Sequence, residues 1–335
     1  MQTVGFIGLG NMGAGIAANI QRAGYPLVVT DLRRDVVESF AGRGAKVALS
    51  PAELAKMSDV VFTSLPGPTE VEAVVGGDDG ILSAIRSGSV YVDLTTNRPS
   101  LILELAKQFE SRGVSMLDAP VSGGKAGAAS GNLAVMAGGD QKVFEDILPI
   151  LNSFGDKVFY AGKIGNGTVC KLVHNLIAQN MRQIVAEGLT LGVKAGVDTE
   201  ILWEGVRRGA VGRARFIHET LVNTVFRNKF EPANFTLSLA KKDVDFAIEL
   251  GHELNVPLPV TNLVHQSFIE GINRGWQDKD SNILFCLQEE AADVEVRATG
   301  IDAAKAAKFI TTHPEIQATA NPAPLKRRNA EAARG

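Results

Sequence analysis

Three polar residues that could do chemistry at a carbonyl group stand close together at Lys171, His174 and Asn175. Apolar residues recur around them at helical spacing, which predicts one long helix over residues 167–195 with an apolar stripe facing a core. Positions i, i+3 and i+4 project from one face of a helix. A lysine amine can move a proton at a substrate oxygen, and the other two groups can hydrogen-bond such an oxygen. We therefore place the candidate chemistry on this face.

A glycine-rich turn follows the first apolar run of the chain and precedes a helical pattern over residues 14–23. In such a turn the first glycine permits the tight bend, the second lets a pyrophosphate approach, and the third lets the helix pack on the strand. A second strand pattern, residues 27–30, ends at Asp31, where an acidic side chain would bind an adenosine ribose. The arrangement predicts dinucleotide binding by Asp31 and by the turn residues Gly8, Leu9, Gly10, Asn11, Met12 and Gly13.

The choice between NAD and NADP stays open at this point. Asp31 favours NAD because a carboxylate repels a ribose 2′-phosphate. Arg33 and Arg34 could instead bind that phosphate, or could be solvated residues at the start of the next helix. We expect NAD or NADP, with NAD favoured.

Strand and helix patterns continue to alternate through the first half of the chain. Strands are predicted over residues 59–65 and 89–94, and Ser50-Pro51 is typical of a helix start. Ligands bind outside the carboxyl ends of strands in a doubly wound sheet, so we expect cofactor contacts in the following loops. The candidates are Leu65, Pro66 and Thr96.

A segment of small residues, 122–131, lies between predicted strands over residues 115–121 and 133–137. Glycine and alanine leave backbone amides uncovered, so a loop there could bind a small anion, with a serine hydroxyl as a further donor. A flexible linker is the alternative, but strands flank the segment on both sides. We predict a carboxylate site at Ser122, Gly123 and Gly124.

The remainder of the chain is predicted to be helical, after a helix over residues 141–154 and a strand over 157–160. We expect an NAD(P)-binding domain over residues 1–163, an all-helical substrate and dimerisation domain over 164–298, and a C-terminal extension over 299–335 that is frayed beyond about Ile310. The predicted fold class is an α/β Rossmann domain with a doubly wound, mostly parallel sheet, followed by an all-α domain and joined to it by a long helix.

The bulk composition excludes some partners. Lys and Arg number 34 against 37 Asp and Glu, a net charge of −3, so neither a nucleic acid nor a membrane is expected as a partner. Cys170 and Cys286 have no spacing suited to a metal site or a disulfide framework, and no metal is expected. A reducing cytoplasm fits this cysteine usage.

Four stretches together resemble the β-hydroxyacid dehydrogenases, the family that includes 3-hydroxyisobutyrate dehydrogenase and tartronate semialdehyde reductase. They are Phe6-Ile7-Gly8-Leu9-Gly10-Asn11-Met12-Gly13 through Asn19, Asp118-Ala119-Pro120-Val121-Ser122-Gly123-Gly124, Gly162-Lys163-Ile164-Gly165 through Lys171 and Asn175, and Lys242-Asp243. The resemblance covers residues 1 to about 298. It implies a Rossmann domain, a long connecting helix and an all-helical domain, assembled as homodimers or homotetramers.

The resemblance also implies roles for individual residues. Lys171 would be the catalytic acid and base, Asn175 its partner at the substrate, and Ser122 with the following glycines the group that holds the substrate carboxylate. Independently of the resemblance, we expect His174 to hydrogen-bond substrate oxygens beside Asn175. Further contacts are implied at Phe235 and Lys242 for the cofactor and at Asp243 for the substrate. The expected reaction is hydride transfer between the nicotinamide and a small β-hydroxy acid or its semialdehyde.

Departures from the family pattern keep other functions open. His174 replaces an asparagine common in the family, and residues 171–175 look like the corresponding run of 6-phosphogluconate dehydrogenase, an oxidative decarboxylase. That group has an acidic residue where this chain has Ala178. An imine reductase is a further alternative, although such relatives usually lack the lysine. A cofactor-binding protein without turnover is the alternative from a different class.

Substrate preference does not follow from these motifs. Four arginines lie in the predicted helical domain after the helix that Asp198 would cap: Arg207, Arg208, Arg213 and Arg215. Arg213 could meet a second anionic group of the substrate. The alternative is that these side chains are solvated charges at helix ends.

Overall fold

The computed structural model describes residues 1–298, 300 and 301, which fall into two compact units, one up to Ala178 and one from Gln179 onward. Apart from residues 300 and 301, the predicted extension over 299–335 lies outside the described residues. No helix in the described part of the chain is long and apolar enough to cross a membrane.

A single sheet forms the frame of the first unit. Its strands are β1 (Val4–Ile7), β2 (Leu27–Thr30), β3 (Lys46–Val47), β4 (Val60–Thr63), β5 (Val90–Asp93), β6 (Ser115–Asp118), β7 (Val121–Ser122), β8 (Leu133–Gly139) and β9 (Gly155–Gly162). The strands β3-β2-β1-β4-β5-β6 lie side by side in this order and are all parallel. Strand β8 extends the sheet, antiparallel to β6 and β7 and parallel to β9. The 3-2-1-4-5-6 order is that of doubly wound dinucleotide-binding folds, which confirms the predicted class.

Helices cover both faces of this sheet, namely α1 (Gly13–Arg22), α2 (Arg34–Ala41), α3 (Pro51–Met57), α4 (Pro68–Gly76), α5 (Ile81–Ala84), α6 (Pro99–Glu110), α7 (Gly124–Ser130) and α8 (Gln141–Leu151). The two faces have separate apolar cores. Phe6 and Phe62 belong to one, and their strand neighbours Ile7 and Val61 belong to the other. Strands buried on both faces read as continuous apolar runs, which is why the sequence patterns are unbroken here.

The long helix α9 (Asn166–Lys194) runs from the first unit into the second, within one residue of its predicted bounds at either end. The second unit continues with α10 (Thr199–Arg208), α11 (Leu221–Asn223), α12 (Leu237–Glu253), α13 (Pro259–Asn273) and α14 (Phe285–Ala292). Between residues 179 and 298 the structure contains no strand, only one isolated bridge between Thr236 and Asp280. The all-helical prediction is confirmed for this part.

The apolar stripe of α9 does not face a core, and this prediction is wrong. Val173 and Met181 are each 50% exposed, and Ile177 is 45% exposed. The apolar periodicity predicts the helix correctly, but it does not identify the surface that the stripe packs against.

A second correction concerns residues 115–131. The predicted strand over 115–121 divides into β6 and β7, because Pro120 cannot donate to a ladder. Strand β6 pairs with both β5 and β8, whereas β7 pairs with β8. The predicted open loop contains the helix α7, whose Ala128 packs on Gly15 of α1: a Cβ on Gly15 would lie 2.8 Å from the Ala128 carbonyl oxygen. Alanine is a strong helix former, so the small residues that suggested a loop also suit a helix.

Candidate active site

The turn between β1 and α1, residues 8–13, has the geometry of a phosphate-binding turn. Gly8 has φ +93°, a left-handed conformation that glycine adopts readily. A Cβ on Gly13 would lie 1.8 Å from the Gly8 carbonyl oxygen, whereas a Cβ on Gly10 would meet no protein atom within 4 Å. The first and third glycines are therefore required by the fold, and the second leaves space for a ligand. This space at the positive end of α1 fits the pyrophosphate of a dinucleotide.

Asp31 lies beside this turn, as predicted from the end of β2. Its carboxylate accepts hydrogen bonds from the Leu9 amide at 2.6 Å and from the Arg33 amide at 2.8 Å. The Arg33 guanidinium donates in turn to the Leu9 carbonyl oxygen at 2.6 Å. The structure thus brings the candidate ribose ligand and a candidate phosphate ligand to the same place.

The loops after β4 and β5 carry the predicted nicotinamide contacts. These strands are parallel neighbours of β1, so the loops share its carboxyl-end edge. The Leu65 amide donates to the Thr95 hydroxyl at 3.1 Å, which ties the two loops together. Pro66 and Thr96 are exposed there.

A buried carboxyl group that the sequence reasoning did not single out holds the second of these loops. Asp93, at the end of β5, accepts hydrogen bonds from the Thr63 hydroxyl at 2.9 Å, the Thr95 amide at 3.0 Å and the Asn97 side chain at 3.1 Å. Burial raises the pKa of Asp93. An acidic residue that ends an apolar strand was the available signal for this role.

Ser122, Gly123 and Gly124, for which a carboxylate site is predicted, are named the cradle. Gly123 has φ +142° and Gly124 has φ +64°, and both are exposed. A Cβ on Gly123 would lie 2.8 Å from the Leu133 side chain, so glycine is needed there. The backbone at the cradle is therefore free of side-chain cover.

The first turns of α9 bring the polar cluster to the cradle. The Ser122 hydroxyl lies 3.0 Å from Nε2 of His174. Lys171, one turn earlier, is only 8% exposed, and burial lowers the pKa of its amine. Asn175 is half-buried and His174 exposed. A buried amine with a lowered pKa gives up its proton more readily than a free lysine does, which suits it to proton transfer.

The other predicted site residues lie in the second unit. Nζ of Lys242 is 3.2 Å from an Asp243 carboxylate oxygen, and both side chains are at least half exposed. Phe235 is exposed. Arg213 donates from Nε to the Arg208 carbonyl oxygen at 2.7 Å. The roles of these four residues stay predictions.

Comparison with known proteins matches two consecutive parts of the chain to two family models. Residues 3–162 match the NAD-binding domain of 6-phosphogluconate dehydrogenase, and residues 165–287 match the NAD-binding domain of NADP-dependent 3-hydroxyisobutyrate dehydrogenase. The 2-(hydroxymethyl)glutarate dehydrogenase of Eubacterium barkeri is 36% identical over 88% of this chain and 97% of its own length. The chain belongs to the β-hydroxyacid dehydrogenase family.

Further family members agree with this assignment. Mitochondrial 3-hydroxyisobutyrate dehydrogenase of Mus musculus is 34% identical over 86% of this chain and 87% of its own length. The structure of 3-hydroxyisobutyrate dehydrogenase from Mycobacterium tuberculosis superposes with a TM-score of 0.59 at 27% identity, over 86% of this chain and 99% of that one. The predicted family, the fold and the use of NAD or NADP by a hydroxyacid dehydrogenase are confirmed.

Proposed function

We propose that this hydroxyacid dehydrogenase interconverts a small β-hydroxy acid and its semialdehyde, with Lys171 as the general acid and base. The observation that carries the proposal is the contact between Ser122 of the cradle and His174, one turn from the buried Lys171. This contact supports a carboxylate site at the cradle, near the helix face that carries the Lys171 amine. Family membership supplies the reaction type, and the geometry supports the assignment of roles.

Bound NAD(P) supplies or accepts the hydride. In oxidation the neutral Lys171 amine takes the hydroxyl proton as the carbinol carbon loses its hydride, and in reduction the ammonium returns that proton to the carbonyl oxygen. The cradle amides and the Ser122 hydroxyl hold the substrate carboxylate, which fixes the neighbouring carbon for transfer. His174 and Asn175 donate hydrogen bonds to the substrate oxygens. Desolvation lowers the pKa of the Lys171 amine, which favours the neutral form that oxidation requires.

The proposed dinucleotide site consists of the turn over residues 8–13 and Asp31. Further proposed contacts are Leu65, Pro66, Thr96, Phe235 and Lys242. NAD is the proposed cofactor, because the Asp31 carboxylate lies at the turn. Arg33 bonds to the same turn and is the group that would permit NADP. We further propose residues 1–163 and 164–298 as the cofactor and substrate domains.

A screen of three- and four-carbon hydroxy acids with NAD and NADP tests the reaction. We expect nicotinamide reduction with at least one hydroxy acid, formation of an aldehyde and no release of carbon dioxide. Carbon dioxide released from 6-phosphogluconate would favour the decarboxylase alternative. Bound cofactor without turnover of any substrate would favour a binding protein.

Arg213 is the proposed contact for a second substrate anion. Arg207 and Arg208 pair with Glu204, and Arg215 pairs with Glu219. Among the described residues Arg213 has no carboxylate partner. We expect Arg213→Ala to weaken kcat/KM for dianionic hydroxy acids by about tenfold relative to monoanionic ones. The matched control, Arg215→Ala, should leave this ratio unchanged, and an unchanged ratio in Arg213→Ala would refute the contact.

A homodimer or homotetramer in the cytoplasm is the proposed state of the protein. The exposed apolar side chains of α9, including Val173, Ile177 and Met181, would be covered by a second copy. The two free cysteines, Cys170 and Cys286, suit a reducing compartment. Light scattering on the eluting protein measures the mass, and cell fractionation measures the compartment.

A further inference from the structure

Asp118 connects the sheet to the start of the helix that carries Lys171. It is the last residue of β6 and is fully buried. One carboxylate oxygen accepts a hydrogen bond from the Gly165 amide at 2.7 Å, and the other accepts one from the Thr168 amide at 2.6 Å. Both oxygens are therefore used by backbone donors at the beginning of α9.

This arrangement replaces an ordinary helix cap. The first amides of a helix have no partner within the helix, and the side chain of the residue before the first turn usually accepts from one of them. In α9 that residue is Gly165, which has no side chain. Asp118 takes over the role from 47 residues earlier in the chain and adds a charge that the helix dipole favours.

Two glycines let the first turn of α9 approach the sheet this closely. A Cβ on Gly167 would lie 2.1 Å from the Met136 carbonyl oxygen and 2.6 Å from that of Asp118. A Cβ on Gly138 would lie 2.6 Å from the Asp118 carboxylate. The start of the helix thus rests directly on β6 and β8, and its position is set by backbone contacts and one carboxylate.

Lys171 follows Thr168 by three residues, which is about one helical turn. We propose that Asp118 is a positioning residue for Lys171: by holding the Gly165 and Thr168 amides, it keeps the first turns of α9 on the sheet and the Lys171 amine in its buried place. The inference rests on the proposed function, since it concerns the group assigned there as acid and base.

The pH dependence of oxidation distinguishes positioning from a merely structural role. In Asp118→Asn the side-chain amide can accept only one of the two hydrogen bonds. The first turn of α9 should therefore loosen, and the Lys171 side chain should become more exposed to solvent. We expect kcat to fall about tenfold to a hundredfold and the kinetic pKa of the base to rise measurably. If the variant only contained less folded protein, kcat would be lower at every pH, but the kinetic pKa of the base would not change.

Asp140→Asn is the matched control. Asp140 caps α8 in the ordinary way, accepting from the Val143 amide at 3.0 Å, and α8 carries no proposed site residue. We expect this variant to keep the kinetic pKa of the wild type and kcat within about twofold. If Asp118→Asn gives a profile that matches the control, the positioning role is wrong.

Hydrogen exchange of the wild-type protein provides a test that does not depend on the folding of a variant. The amides of Gly165 and Thr168 should exchange as slowly as those in the interior of α9. Exchange at the rate of solvent-exposed amides would overturn the inference. If Lys171→Met turns over substrate at the wild-type rate, the proposed function is wrong. If Lys171→Met is inactive but Asp118→Asn keeps the wild-type kcat and kinetic pKa, only the positioning role of Asp118 is wrong.

Discussion

Helices α1 and α9 both begin in the first unit, and their first turns differ in what occupies the space before them. The turn before α1 leaves open space at Gly10, where a ligand anion can approach the helix end. The start of α9 is occupied by the Asp118 carboxylate of the protein itself. Under the proposed assignments, the start of α1 is open for the cofactor, whereas the start of α9 is occupied so that the Lys171 side chain stays in place.

Substitutions in the glycine turn test the open helix end and should have the largest effect on cofactor binding. In Gly13→Ala the new Cβ would lie 1.8 Å from the Gly8 carbonyl oxygen, so the turn cannot keep its geometry. We expect the Kd for NAD(P), measured by titration calorimetry, to rise by at least about 100-fold, equivalent to roughly 2.7 kcal/mol.

Gly10→Ala separates ligand space from folding. Its Cβ would meet no protein atom within 4 Å, so the free energy of unfolding should stay near that of the wild type while cofactor binding weakens. Unchanged cofactor affinity in this variant would contradict the pyrophosphate assignment.

The free energy of unfolding should depend on pH through Asp118, which occupies the start of α9. Burial raises the pKa of Asp118 to about 6, from about 3.9 in an unfolded chain. A raised carboxyl pKa stabilises the fold below about pH 4, and this contribution is lost as the pH rises through about 6. The difference between these two pKa values corresponds to a loss of at most about 3 kcal/mol in the free energy of unfolding.

Urea unfolding of the wild type and Asp118→Asn between pH 4 and 7 measures this contribution. As the pH rises, the free energy of unfolding of the variant should lack the decrease caused by Asp118. The decrease caused by Asp93 should remain, because burial raises the pKa of Asp93 as well. A constant difference in unfolding free energy across this range would show that Asp118 does not titrate as described.

The cradle should give the smallest effect of the set. Ser122→Ala removes the hydroxyl that lies 3.0 Å from His174 and is proposed to bind the substrate carboxylate. We expect KM to rise about tenfold, the usual loss of a hydrogen bond to a charged group, with the cofactor Kd unchanged. The matched control is Ser130→Ala, whose hydroxyl donates only to carbonyl oxygens of α7. Equal KM values for the two variants would exclude Ser122 from substrate binding.

The same comparison explains what could be predicted from the sequence. The strand, glycine turn and helix at the start of the chain, the Ser50 cap and the bounds of α9 follow from local residue types and spacing. The structure confirms these elements, the bounds of α9 to within one residue. The role of Asp118 depends on a contact across 47 residues, and the sequence contains no local signal for it. The helix α7 was missed because small residues suit both loops and helices, and its packing against Gly15 decides between them.

Hydride transfer in a single turnover of Lys171→Met tests the central claim most directly. With the preferred hydroxy acid and bound NAD(P), we predict a rate about 10²-fold to 10⁴-fold below that of the wild type, with the cofactor Kd unchanged. The variant should be no less stable, because an amine whose pKa burial lowers costs stability when charged at neutral pH. Transfer at the wild-type rate would contradict the assignment of Lys171 as the acid and base.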